Sequence, residues 1–152
     1  MKLGITGGIC CGKSTVLEIF GRYGFDTINL DEYVRDALRG NERIKLGVKS
    51  RFGDSVVDEN GEILVKQLAN MVFSQDSARK VLENLIHSEI DSLWTRNVTT
   101  PTAIEVPLLF EGNLERHFDA TICVYSTYPE QLSRSMVFRH WDEEELRRRT
   151  DA

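Results

Sequence analysis

At 152 residues the chain is one domain's worth, and about 68–70% of the surface its unfolded form exposes can be buried without staples. A hydrophobic share of 41% beside a charged share of 28% is that of a soluble globular domain and excludes low-complexity or fibrous classes. The 19 Lys and Arg against 24 Asp and Glu leave a net charge of −5, which argues against a general nucleic-acid binder but allows a local phosphate site. With three cysteines, two of them adjacent, a disulfide framework is not expected, and a reduced, cytoplasmic setting is. No run approaches the roughly 18 apolar residues of a membrane span, so no membrane is expected; no obligate protein partner is expected either.

Lys2-Leu3-Gly4-Ile5-Thr6 is a short apolar run ending in glycines and predicts a buried strand. From Ser14, Val16, Leu17, Ile19, Phe20 and Tyr23 recur at helical spacing, and Gly24 closes the helix. Phe25 to Asn29 predicts a second strand. Asp31 to Leu38 predicts a helix with Tyr33, Val34, Ala37 and Leu38 inward. Residues 41–64 read as irregular, with a small hairpin at Asn60-Gly61.

Helices follow from Leu64 to Phe73 and, capped by Asp76, along the stripe Val81, Leu82, Leu85 and Ile86, with a further helical stretch to Trp94. Pro101 stops them. Thr102 to Val106 and Ala120 to Tyr125 predict the third and fourth strands, and Pro129 starts a helix carrying Leu132, Met136 and Val137. From Asp142, Glu143, Glu144 and Glu145 precede Arg147, Arg148 and Arg149 by four residues each, the order that suits helical ion pairs and the helix dipole. Strands alternating with helices predict an α/β fold with a mainly parallel sheet. The strand-poor stretch 41–97 reads as a helical insertion, not a separate domain.

Gly7-Gly8-Ile9-Cys10-Cys11-Gly12-Lys13-Ser14 satisfies G-x-x-x-x-G-K-[ST] between a predicted strand and a predicted helix. Glycines let such a loop turn its N–H groups inward as an anion nest, and the helix adds its positive end. Gly8, Cys10, Cys11, Gly12, Lys13, Ser14 and Thr15 are therefore the candidate ATP-binding residues. Lys13 reaches the β- and γ-phosphates, and Ser14 supplies a hydroxyl for Mg²⁺, with Thr15 assisting.

Transfer also needs a group that orients the acceptor hydroxyl. Asp31 follows the second strand, at the sheet edge where ligands gather, though a helix N-cap role also fits it. Arg35, one turn on, either clamps an anionic acceptor or pairs with Asp31. Glu105 ends the third strand and is read as acting on Mg²⁺ or water through an intervening ligand. Leu109, in an apolar loop, and His87, in an apolar helix, read as core on composition; both are kept with Glu111 as acceptor-side candidates. Arg139, beside Arg134, is the candidate for covering the transferred charge from a lid.

Together, ITGGICCGKST, INLDEYVR, SARKVLENLIHSEI, EVPLLFE and QLSRSMVFR resemble the dephospho-coenzyme A kinase family, in its order and spacing. The resemblance implies ATP-dependent phosphorylation of the ribose 3′-hydroxyl of dephospho-coenzyme A, the last step of coenzyme A synthesis. It implies a three-layer P-loop kinase fold of the nucleoside-monophosphate kinase type, as a single domain: core 1–40 and 98–139, a helical acceptor-binding region at about 41–97, and a partial lid at about 139–152. By that likeness Asp31 is the acceptor-hydroxyl base and Arg139 lies in the lid.

Four departures stand out. Cys10-Cys11 replaces the family's Gly-Ser, Glu105 and Asn29 stand where aspartates are usual, and Ser88 replaces a proline. The family pattern also runs beyond residue 152 into the rest of the lid, a fifth strand and an adenine loop, so an incomplete adenine pocket and an exposed fourth strand are expected. A P-loop kinase with another acceptor, or a nucleotide binder without turnover, are the alternatives.

Overall fold

In the computed structural model the described residues are 1–95 and 98–150. Four strands, β1 (Lys2–Gly7), β2 (Asp26–Asn29), β3 (Thr102–Glu105) and β4 (Ala120–Val124), form a sheet of order β2-β3-β1-β4. Every pairing in it is parallel. The central strands are buried along their length and carry the continuous apolar character of a parallel sheet. The outer strands β2 and β4 are more open.

The contacts divide the chain into two compact units, Met1–Leu30 with Val98–Ala152, and Asp31–Asn97. In the first, α1 (Lys13–Arg22) lays Leu17, Val16 and Phe20 on Leu3, Ile5 and Ala103. Full burial of such side chains stabilises by about 1.5–3 kcal/mol each. The alternate residues of β1 face the other way. There Leu109 and Phe118 lie against Gly4, and Thr6 donates to the Pro107 carbonyl at 3.1 Å.

Beyond β4 come α6 (Tyr128–Arg134), a π-helical turn at Ser135–Arg139, and α7 (Glu143–Thr150). Glu130 accepts from both the amide and the hydroxyl of Thr127, which fixes the start of α6. In α7 the pairs Glu143–Arg147 and Glu145–Arg149 form at the expected spacing. Arg148 turns instead to Glu145, three residues back.

The second unit is helical: α2 (Leu30–Gly40), α3 (Glu42–Phe52), α4 (Val65–Ser74) and α5 (Asp76–Thr95). Leu38, Ile44, Val48, Leu68 and Ile86 are among its buried core. The reading of 41–64 as irregular is corrected by α3. Asn41 caps this helix by accepting from Arg43 N and Ile44 N, and Gly53 ends it at φ 81. Lysines and a glycine interrupt its apolar stripe, so the helical period is masked. One of those lysines, Lys45, is itself buried against Glu62 at 2.6 Å and Glu42 at 3.2 Å. At Asn60-Gly61 the expected turn is present, as a single antiparallel bridge between Val57 and Ile63.

The two helical stretches read from Asp76 to Trp94 are one helix. No helix among the described residues is long and apolar enough to cross a membrane.

At the carboxyl end of β1 the neighbouring strand leaves no room for a side chain. A Cβ on Gly7, which has φ 141, would stand 2.1 Å from the Val124 carbonyl oxygen. Gly7→Ala is therefore expected to cost about 3 kcal/mol or more, from overlap plus backbone strain, read as a lowered urea midpoint. An unchanged midpoint would contradict this contact.

Candidate functional site

The chain passes from β1 into α1 in five residues. Gly12, the residue before α1, is left-handed at φ 95, and no side chain caps the helix. The first turn of α1 carries no acidic residue, so its free amides and dipole favour an incoming anion. Lys13 Nζ donates to the carbonyls of Gly7 and Gly8, at 3.0 Å each, and so lies across the loop.

At the foot of α1 the Ser14 hydroxyl donates to Glu105 Oε1 at 3.3 Å, and Asn29 Nδ2 donates to Glu105 Oε2 at 3.1 Å. Glu105 is only 6% exposed. Its longer arm, in register with Asn29 across β2 and β3, thus keeps a carboxylate beside the Ser14 hydroxyl.

A cavity of about 520 Å³ opens over the loop. The loop from Cys10 to Thr15 lines it together with Glu105, Arg134, Phe138 and Arg139. Arg139 leaves the π-helical turn exposed, its guanidinium 5.4 Å from the Trp141 ring centroid.

The two cysteines behave differently. Cys10 is half-buried with φ 55, a left-handed backbone that costs a side-chain-bearing residue about 1–2 kcal/mol. Cys11 is buried, and its Sγ accepts from Gln131 Nε2 at 2.9 Å. Burial opposes ionisation of the Cys11 thiol. Hydrogen bonds with Ser126 and Gln131 and the charge of Lys13 outweigh it and hold the thiol below its ordinary range. All three cysteines are free.

Every phosphate-loop candidate therefore lies together: Gly8, Cys10, Cys11, Gly12, Lys13, Ser14 and Thr15, with Glu105 and Arg139 at the same cavity. Asp31 and Arg35 lie in the helical unit, both exposed in the first two turns of α2, and Asp31 follows two residues after Asn29. Glu111 is exposed in the loop after β3. The His87 side chain lies outside the described part of the structure.

Leu109 requires a correction. It is fully buried, and its Cδ1 is so close that a Cβ on Gly4 would stand 2.7 Å away. Its side chain anchors the loop to the sheet and presents no surface to an acceptor; Leu108 and Phe110 are the exposed members of that segment. Gln131 is missed by the sequence reading, and Arg134, named there only beside Arg139, joins it three residues on along α6. Arg134 Nη1 donates to the Cys10 carbonyl and to Ser126 Oγ, both at 3.2 Å. Their spacing, one helical turn apart after a strand that borders the loop, was the available signal.

Residues 1–152 match the family model for dephospho-CoA kinase. The chain belongs to the dephospho-CoA kinase family. The dephospho-CoA kinase of Staphylococcus aureus (strain N315) is 31% identical over 140 residues, covering 88% of this chain and 68% of that one. The dephospho-CoA kinase of Geobacillus kaustophilus is 33% identical over 156 residues, covering 98% and 78%. Among solved structures, a Thermus thermophilus protein superposes with a TM-score of 0.82 at 31% identity, covering 98% of this chain and 78% of its own. The dephospho-CoA kinase of Campylobacter jejuni gives 0.58 at 28%, covering 99% and 80%. The parallel sheet and glycine loop are thus the P-loop kinase fold that the sequence implies.

The lowered Cys11 value has a consequence for stability. Between the native value and the ordinary thiol range, the unfolded chain holds more protons at this site, so stability rises with pH there and falls as pH drops through the native value. The urea midpoint of the native chain relative to Cys11→Ser is expected to increase from pH 7 to pH 9. A difference that does not change with pH would contradict the assigned hydrogen bonds.

Proposed function

We propose that this chain transfers the γ-phosphoryl group of ATP to the ribose 3′-hydroxyl of dephospho-coenzyme A, giving ADP and coenzyme A. The observation that carries the reading is the loop Gly7–Ser14, with Lys13 laid across it and Ser14 beside a buried carboxylate, in a chain whose residues 1–152 match the family model. The loop amides and the α1 N-terminus hold the triphosphate. Lys13 exchanges the two loop carbonyls for phosphate oxygens, and Arg139, at the cavity wall, neutralises charge that builds on the transferred group.

Mg²⁺ enters as part of MgATP. The hard-oxygen set of Ser14 and Glu105 suits this ion, which is held by few protein groups together with phosphates. Among the described residues there is no cluster of His, Cys, Asp and Glu that would hold a metal alone. Ser14 would hold the ion through its hydroxyl, and Glu105 would orient that hydroxyl. The ion supplies charge neutralisation of the phosphates.

Asp31 accepts the proton of the 3′-hydroxyl as its oxygen bonds to the γ-phosphorus and ADP departs. Arg35, Glu111 and His87 are proposed as acceptor-binding residues. The reading places the enzyme in the cytoplasm.

Incubation with MgATP and dephospho-coenzyme A is expected to yield ADP and 3′-phosphorylated product, followed by phosphorus NMR. Asp31→Asn is expected to lower kcat by about 10²–10⁴, the range for loss of a general base, with ATP affinity little changed. Full turnover in Asp31→Asn would remove Asp31 from the mechanism. ATP binding without any product would refute the acceptor assignment.

A further inference from the structure

The phosphate loop carries a side chain where its backbone favours none. Cys10 sits at φ 55, in the left-handed region that glycine enters freely and cysteine does not. Such a conformation persists only where the surroundings over-determine it. The surroundings here are two side chains of α6. Arg134 Nη1 donates to the Cys10 carbonyl at 3.2 Å while bonded at the same distance to Oγ of buried Ser126. Gln131, one turn earlier, donates to Cys11 Sγ at 2.9 Å. The Arg134 guanidinium also lies close to Gly12, 3.6 Å from where a Cβ there would stand. One helix therefore grips the loop across the cysteine pair.

We infer that Arg134 is a positioning residue that, by anchoring the Cys10 carbonyl to Ser126, holds the strained loop in the shape that receives the triphosphate. The inference rests on the reading of this loop as the MgATP site. It has a consequence that a plain phosphate contact by Arg134 lacks. A glycine at position 10 would adopt the same backbone without help, so the need for Arg134 should depend on the side chain at position 10. A direct contact to phosphate would be equally strong whichever residue stands there.

The test is a double-mutant cycle on the full chain, with MgATP affinity read by titration calorimetry and folding checked by circular dichroism. Arg134→Gln is expected to weaken MgATP binding about tenfold in the native background and about twofold or less in the Cys10→Gly background. Arg134→Lys keeps a donor for the carbonyl and is expected to recover most of the affinity. With acceptor present, KM for ATP should follow the same pattern, with kcat changed less than KM. Should Arg134→Gln not fold, Ser126→Ala, which removes the hydroxyl that anchors Arg134, is compared in both backgrounds; a loss confined to the native background supports the inference, and equal losses in both overturn it. Additive losses, with Arg134 mattering equally in both backgrounds, would overturn it and leave the loop assignment intact. Failure of the native chain to bind MgATP would overturn both.

Discussion

The backbone of one short loop constrains the rest of this molecule. Leaving β1, the chain passes so close to the Val124 carbonyl that position 7 has no room for a side chain, and it enters α1 through a left-handed glycine. Between these points its amides have no helix or strand to satisfy them, and Lys13 covers two of its carbonyls. A segment with surplus donors, a helix dipole behind it and a lysine laid across it is built to exchange internal bonds for bonds to an anion. The sheet, α1 and α6 keep that segment in place.

The loop's support is asymmetric. On one side Glu105 ties Ser14 to Asn29 through part-buried hydrogen bonds, so the acid satisfies both the hydroxyl and the amide. On the other side Arg134 reaches the backbone of Cys10 and Gln131 the thiol of Cys11. A cysteine at φ 55 is a local cost, and its neighbours are arranged to hold it.

Much of this was legible in the residues. The P-loop pattern, the four strands and the stripes of α1, α2, α4 and α5 are set by local spacing, which sequence displays directly. What stayed hidden depends on tertiary context. The period of α3 is masked by Lys45, a charge that the fold buries against two glutamates. Leu109 reads as core on composition, and its burial against Gly4, which takes it off the acceptor side, depends on tertiary packing. Arg134 and Arg139 are alike in sequence; only the π-helical turn between Ser135 and Arg139 separates a side chain gripping the loop from one standing at the cavity wall. Asp31 and Arg35 follow β2 in the first two turns of α2, a position that sequence order alone displays.

The central claim is that the β1–α1 loop receives the triphosphate and that Lys13 changes partners when it does. A crystal structure of the chain with Mg²⁺ and a non-hydrolysable ATP analogue tests this most directly. The account predicts phosphates enclosed by the loop amides, with Lys13 Nζ withdrawn from the Gly7 and Gly8 carbonyls and about 2.7–2.9 Å from a β- or γ-phosphate oxygen. Nucleotide bound elsewhere, with Lys13 still on both carbonyls, would contradict it.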